Sequence, residues 1–238
     1  MEPYRRAAAA YDLFYRGKDY PREVDEIVEL VEARRPGARS LLDVGCGTGA
    51  HLAAFAAQYE RAEGIEPSAR MIEEATIARP GLVILPGDMR TFRHGDRFDV
   101  VTCLFSAIGY MTTDADLRGA VANMASHLEP GGVLVVEGWV EREAWAAGQR
   151  ASAQTAVDDD LVAARVILSE LDGDVTVLEM HYLLATVDGV EHVTEVHRMG
   201  LFTRAQYREA FEAAGLRYER VDGLSGRGVH VGVMPAAP

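Results

Sequence analysis

The sequence predicts an α/β fold in which a parallel sheet is covered by helices on both faces. Three observations predict it: short strand-like runs that are apolar nearly throughout, helix-like segments between them, and a glycine cluster where the first run ends. Strands buried on both faces lose the inside-outside alternation of exposed ones, and parallel pairing needs a crossover that an intervening helix supplies. After Trp139 the runs alternate instead, which predicts an antiparallel β insertion after the fifth strand.

Taken in order, PREVDEIVELVEARRPG sets Val24, Ile27, Val28 and Val31 at helical spacing, with Pro21 suited to the first turn and Gly37 to the stop. The strand-like runs are SLLDVG at 40–45, RAEGIE at 61–66, LVILPG at 82–87, FDVVTCLF at 98–105 and GVLVVEGW at 132–139. HLAAFAAQY, SARMIEEATIAR and DADLRGAVANMASHLEPGG are the helix-like segments between them. In the insertion, LVAARVILSEL, DVTVLEMHYLLATVDG and VEHVTEVHRMGLF read as strands joined by Asp-Gly turns at 172–173 and 188–189. A helix over TRAQYREAFEAAG and two strands, LRYERVDG and VHVGVM, complete the chain, and the run DDD at 158–160 reads as a solvated turn.

A chain of 238 residues with 48% hydrophobic and 26% charged residues can bury a core, and one domain, 1–238, is expected. Its lid is expected at about 1–38 and its insertion at about 150–200. Against 24 Lys and Arg stand 37 Asp and Glu, and the net charge of −13 opposes a nucleic-acid partner. No apolar run has the length to cross a bilayer, and Asp12 interrupts an N-terminal stretch that otherwise resembles a signal peptide, so a cytoplasmic protein is expected. Cys46 and Cys103 are read as buried thiols at strand ends, and no metal is expected.

Gly45, Gly47 and Ala50 formally satisfy a dinucleotide fingerprint. Asp43 counts against it, since a carboxylate two residues before the first glycine would face two phosphates of its own sign. A cationic ligand suits that position, and S-adenosylmethionine offers a sulfonium and an ammonium with no phosphate. Glu66, 21 residues after Gly45, stands where ribose hydroxyls would be accepted. Asp88 in GDM is either an adenine acceptor, with Met89 packing on the ring, or a helix cap or turn residue. These acids fall at successive strand carboxyl ends, the edge where open α/β sheets bind ligands.

This constellation resembles the class I S-adenosylmethionine-dependent methyltransferases, which implies a Rossmann-like sheet and extends the cofactor set to Gly49, Met71 and Leu104. The segments YDLFYRGKDY, LFSAIGYM, VEGW, LEMHYLLA, EVHRMGLF and SGRGVHVGV are further similar to the sugar-nucleotide N,N-dimethyltransferases of macrolide deoxyaminosugar pathways. That resemblance implies a dTDP-3-amino-deoxyhexose as acceptor, S-adenosyl-L-homocysteine as product and a homodimer. It puts Tyr15 over cofactor and acceptor and Tyr110 near the amine, orienting it rather than acting as a strong base. Arg227 falls on the nucleotide-sugar side. Glu137 either holds the amine or ends its strand, and Trp139 and Trp145 either flank a thymine ring or fill the junction between the sheet and the insertion. Arg165, His181 and Arg198 are further acceptor candidates, the alternative being a solvent-facing strand position for the arginines and a structural role for the histidine. Another amine or hydroxyl acceptor, or a non-catalytic cofactor-binding module, would use the same cofactor half.

Overall fold

The structure, a computed structural model, describes residues 8–145, 151–222 and 228–236. Along the chain come α1 (Ala8–Phe14), α2 (Tyr20–Glu32), β1 (Ser40–Val44), α3 (Ala50–Phe55), β2 (Arg61–Glu66), α4 (Ala69–Ala78), β3 (Val83–Pro86) and β4 (Phe98–Cys103). A 3-10 turn over Ala107–Tyr110 then leads to α5 (Asp114–Ser126) and β5 (Leu128–Glu137). The insertion holds β6 (Ala151–Val157), β7 (Val162–Asp172), β8 (Val175–Thr186) and β9 (Gly189–Gly200), and α6 (Arg204–Ala213), β10 (Arg217–Val221) and β11 (Val229–Val233) follow.

Seven strands form the central sheet in the order β10-β11-β5-β4-β1-β2-β3. Pairing is parallel from β5 to β3, while β11 runs antiparallel to β5 and β10 antiparallel to β11. One face buries Leu117, Val121 and Met124 of α5 with Ala210 and Phe211 of α6, and the other buries Val24, Ile27 and Val31 of α2 with Phe55 of α3. The apolar strand runs follow from this double cover: Leu41, Leu42 and Val44 of β1 are all fully buried. The helix α2 ends at Glu32 with Ala33 as its cap, short of the expected stop, and Gly37 takes its positive φ of 73° in the loop beyond.

The insertion is a separate antiparallel sheet, β6-β7-β8-β9, with one strand more than the runs predicted, because ASAQTAV at 151–157 has few apolar residues to announce it. Its hairpin turns differ from the predicted Asp-Gly pairs by one residue. Asp172 pairs with Val175, leaving Gly173-Asp174 as one turn, and Thr186 pairs with Gly189, leaving Val187-Asp188 as the other. The inner face of this sheet buries Leu178, Met180, Tyr182 and Val193 against Ala10 and Phe14 of α1. So α1 is wedged between the two sheets, above the carboxyl ends of the parallel strands.

Candidate active site

Three glycines in left-handed conformation, Gly45, Gly47 and Gly49 at φ of 74°, 58° and 80°, turn the chain from β1 into α3. At Gly45 a side chain would also lie 2.7 Å from the Ala107 Cβ, so both conformation and space demand glycine. The Gly47 N–H donates to Glu66 Oε2 at 2.9 Å, and the Ser68 N–H to Glu66 Oε1 at 2.9 Å, which ties the loop to the end of β2.

Below this loop opens a cavity of about 480 Å³ whose walls include Asp43, Gly45, Gly47, Glu66, Met71, Asp88, Met89 and Leu104. Eight of the residues read from the sequence as cofactor-binding are thereby brought together. Gly49 is not among its walls: a Cβ there would meet Leu82 at 2.8 Å, so this glycine serves close packing of helix on sheet. Tyr11, Tyr20, Thr48 and His51 also line the cavity, and sequence reasoning missed them.

The electrostatics of the cavity favour a cation. Asp43 is buried, and desolvation pushes its carboxyl up, with His51 and the 2.8 Å hydrogen bond from Thr102 Oγ1 partly offsetting this. Asp88 is held below the ordinary carboxylate range by the Arg90 guanidinium, which chelates it and reaches on to Asp116 at 2.8 Å. The cation among the walls is thus already neutralised, and a pyrophosphate would meet three carboxylates. The Asp88 carboxylate also accepts the Arg90 N–H at 2.8 Å, so the turn reading of this residue describes part of what it does. Cys46 is half-buried in the loop rather than buried in a strand, and its thiol is pushed well up by burial and by Asp43 and Glu66, so it stays protonated. Cys103 is buried as expected.

A second cavity of about 520 Å³ lies between the parallel sheet and the insertion, walled by Tyr15, Trp139, Trp145, Ser152, Ile167, Ser169, Met180 and His197. Tyr11, Phe105 and Tyr110 line both cavities and mark their junction. Phe105 and Ser106 hold this junction in left-handed backbone at φ of 49° and 65°, a strain of about 1–3 kcal/mol each. Glu137 supports them: its Oε2 accepts the Phe105 N–H at 2.7 Å, and Ser106 Oγ donates to the Gly138 carbonyl at 3.1 Å. Glu137, read as a candidate to hold the amine, is 4% exposed and holds this loop.

The helix α1 is fastened from both sides. On the side of the glycine loop Asp12 accepts from Thr48 Oγ1 at 2.6 Å and from Arg79 Nη1 at 2.6 Å. On the insertion side Arg165 lies over the rings of Phe14 and Tyr15, at 4.7 and 5.4 Å, and donates to Gln154 at 2.6 Å and to the Tyr15 hydroxyl at 3.3 Å. Arg165 therefore points inward, 7% exposed, instead of to solvent as alternating strand arginines commonly do. Releasing the glycine-loop latch by Asp12→Ala is expected to weaken cofactor affinity about tenfold, the equivalent of ~1.4 kcal/mol, with little change in thermal midpoint. Titration calorimetry beside a melting curve checks it, and an unchanged affinity would show that the latch does not bear on the cofactor.

The remaining acceptor candidates divide. Trp139 lines the second cavity and donates its indole N–H to Thr176 Oγ1 at 3.0 Å. His181 faces outward on β8, stacked on His192 and bonded to Glu179 at 3.0 Å, and Arg198 pairs with Asp172 at 2.8 Å on the same outer face. Arg227 lies outside the described residues. Among the described residues no cluster of three or more His, Cys, Asp or Glu is arranged to hold a metal ion.

A methyltransferase domain model matches residues 41–132. Over 95% of this chain and 97% of the relative, 46% of residues are identical to a dTDP-3-amino-3,4,6-trideoxy-alpha-D-glucopyranose N,N-dimethyltransferase from Streptomyces venezuelae. The chain belongs to the sugar N,N-dimethyltransferase family. A dTDP-3-amino-3,6-dideoxy-alpha-D-glucopyranose N,N-dimethyltransferase from Streptomyces fradiae is 44% identical over 95% of this chain and 90% of its own. A member from Saccharopolyspora spinosa, a dTDP-4-amino-2,3,4,6-tetradeoxy-D-glucose N,N-dimethyltransferase, is 42% identical over 95% of this chain and 92% of its own. Among solved structures, the SAM-bound amino pentose methyltransferase of calicheamicin biosynthesis from Micromonospora echinaspora is 41% identical over 94% of both chains, with a TM-score of 0.82.

Proposed function

We propose that this family member transfers methyl groups from S-adenosylmethionine to the 3-amino group of a dTDP-linked deoxyhexose, first once and then twice, in antibiotic sugar biosynthesis. One observation carries the reading: an acid-walled cavity at the strand ends meets a second, aromatic cavity at Tyr11, Phe105 and Tyr110. Two relatives that carry the 3-amino name, at 46% and 44% identity, support the position of the amine. The SAM-bound relative supports the cofactor.

The residues present fit that cofactor. Asp43 would face the ammonium of its methionine half, Glu66 the ribose hydroxyls and Asp88 the adenine edge, with Met71, Met89 and Leu104 packing on the rings. S-adenosylmethionine, when bound, would supply an electrophilic methyl group for in-line transfer, with the thioether of S-adenosylhomocysteine as the leaving group. Everything else asked of the chain is positioning and water exclusion, for which effective molarities of about 10⁵–10⁸ are available to well-oriented groups. In this reading the segment up to about residue 38 is the lid, with Tyr15 covering the acceptor. The insertion of about residues 150–200 forms the acceptor wall, with Trp139 beside the sugar nucleotide. Arg227 keeps its assignment to the nucleotide by resemblance alone.

The protein is further read as a cytoplasmic homodimer. Support for the dimer comes from the outer face of the insertion, where Val162, Val166, Leu168, Leu183, Val190 and Val196 are all at least 43% exposed on a sheet whose other face is already covered. Free Cys46 and Cys103 suit a reducing compartment.

The test is a product mass spectrum after incubating the purified protein with S-adenosylmethionine and a dTDP-3-amino-deoxyhexose, with the 4-amino isomer in parallel. Successive gain of one and two methyl groups on the 3-amino substrate is expected. Gain on the 4-amino isomer alone would move the amine, and no gain on either would overturn the aminosugar reading.

A further inference from the structure

We infer that His197 and Glu195 stand behind Tyr110 as a proton path for the acceptor amine, an assignment that rests on the aminosugar reading above. Tyr110 ends the 3-10 turn and lines both cavities, so its ring stands where donor and acceptor meet. Its hydroxyl lies 2.7 Å from His197 Nδ1, and His197 Nε2 lies 3.4 Å from Glu195 Oε2. His197 is 2% exposed and Glu195 8%. Both face inward from β9, where His197 pairs in register with Leu178 and Glu195 with Met180, residues of the apolar cluster under α1.

An imidazole and a carboxylate in an apolar layer carry a desolvation cost that valine or leucine would avoid at the same positions. What they add is chemistry that tyrosine lacks. A phenol, whose reference pKa is about 10, cannot serve alone as a base near neutrality. It can, however, relay. The ammonium of an arriving amino sugar donates to Tyr110 Oη. As that N–H bond breaks and an O–H bond forms, the original hydroxyl proton passes to His197 Nδ1. The amine is then neutral with its lone pair free, Tyr110 remains a phenol, and His197 becomes an imidazolium whose Nε2–H faces Glu195. One positive charge has moved from the amine nitrogen to the imidazole, where it stays through methyl transfer, and the proton then leaves through the cavity that His197 lines.

Two methylations make the demand explicit. Each transfer leaves a protonated nitrogen, so the monomethyl product must lose a proton before it can attack again. The path is therefore used before both steps. Among the described residues, titratable or charged groups near the pair include Tyr182 on β8, Arg165 on β7 and, beyond Arg165, Tyr15 just after α1. Arg165 adds a positive charge on that side, so the Glu195 carboxylate is the partner that makes an imidazolium tolerable there.

The test compares the wild type with His197→Asn and Tyr110→Phe, measuring kcat and KM for the first and second methylation separately across pH at saturating S-adenosylmethionine. Asparagine keeps an acceptor near the Nδ1 position but cannot take up a proton. Near neutral pH both variants are expected to lose about tenfold in kcat with KM little changed. The deficit should close as pH rises past the amine's own pKa, where the acceptor arrives already neutral, and the double variant should lose no more than the worse single one. A second readout needs no turnover: ¹⁵N spectra of His197, with S-adenosylhomocysteine and the aminosugar bound, should show imidazolium in the wild type and neutral imidazole in Tyr110→Phe. A loss of the same factor at every pH, or a risen KM with kcat intact, would reduce the pair to shaping the cavity and overturn the inference. A wild type that methylates no aminosugar fails before any variant is compared, and takes the underlying reading with it.

Discussion

Replacing Asp43 by asparagine is expected to weaken S-adenosylmethionine binding by about a hundredfold while leaving the apo protein as stable as before, or more so. The two effects have one cause. Asp43 sits at the carboxyl end of β1, 2% exposed, with Thr102 as its hydrogen-bond donor, and burial pushes its carboxyl above the ordinary range. An upward shift means that the ionised form is a cost to the folded state, appearing as pH rises through the carboxylate range, and asparagine does not carry it. In the proposed function a cationic ligand compensates the charge, and a hydrogen bond to a charged group is worth about 1.5–3 kcal/mol. Asparagine keeps an oxygen for Thr102 and loses only the charge. Calorimetry for affinity, with thermal melts of apo and ligand-saturated protein, separates the terms. An affinity within a factor of two of the wild type would mean that Asp43 does not face the ammonium. An apo midpoint several degrees lower would make the carboxylate structural.

The acid-walled half of this site, proposed to take the cofactor, was legible because its signals are local. A buried strand, a left-handed glycine turn and an acid at each strand end are written in stretches of five to seven residues, and parallel pairing then lines their carboxyl ends along one edge. Asp43, Glu66 and Asp88 thus come together from sequence without any long-range contact being foreseen. The aromatic half, proposed to take the acceptor, depends on contacts that cross the chain. Tyr110 and His197 are 87 positions apart, and nothing in either stretch names the other. Arg165 looks like an exposed strand arginine until α1, 150 positions earlier, is seen to cover that face with Phe14 and Tyr15. His181, equally plausible from alternation, falls on the opposite face because it differs from its buried neighbours Met180 and Tyr182 by one position in a period of two. The β6 strand was missed for a related reason: as an edge strand of mostly exposed residues it carries little apolar pattern.

Acidification should test the other end of the sheet. His230 on β11 is 1% exposed, stacked on Tyr207 at 3.7 Å and bonded through Nδ1 to the Tyr218 hydroxyl at 3.0 Å. Burial, and then the charges of Arg220 and Arg204, lower its pKa from the ordinary 6.5 to about 3. The folded state thus holds it neutral, whereas the unfolded chain binds a proton as pH falls below 6.5. Stability drawn from the neutral imidazole is present above that value and is lost at about 1.4 kcal/mol per pH unit until the folded state itself titrates near 3. Two units of acidification below the unfolded value cost on the order of 3 kcal/mol from this one group, a large part of a typical 5–15 kcal/mol. Carboxylates such as Asp99, held low by Arg35 and backbone N–H groups despite partial burial, lose stability over the lower part of the same range, so the wild-type slope alone does not identify the histidine. His230→Phe does, since a phenyl ring preserves the stack on Tyr207 and cannot be protonated. At neutral pH the variant should be the less stable by about 1 kcal/mol, for the lost Tyr218 contact. Urea unfolding across pH should then show the gap shrinking and reversing as acid is added, because only the wild type pays for neutralising a buried imidazole. A difference between the two proteins that stays flat from neutrality to the acid limit would mean that His230 is hydrated or already charged in the folded state.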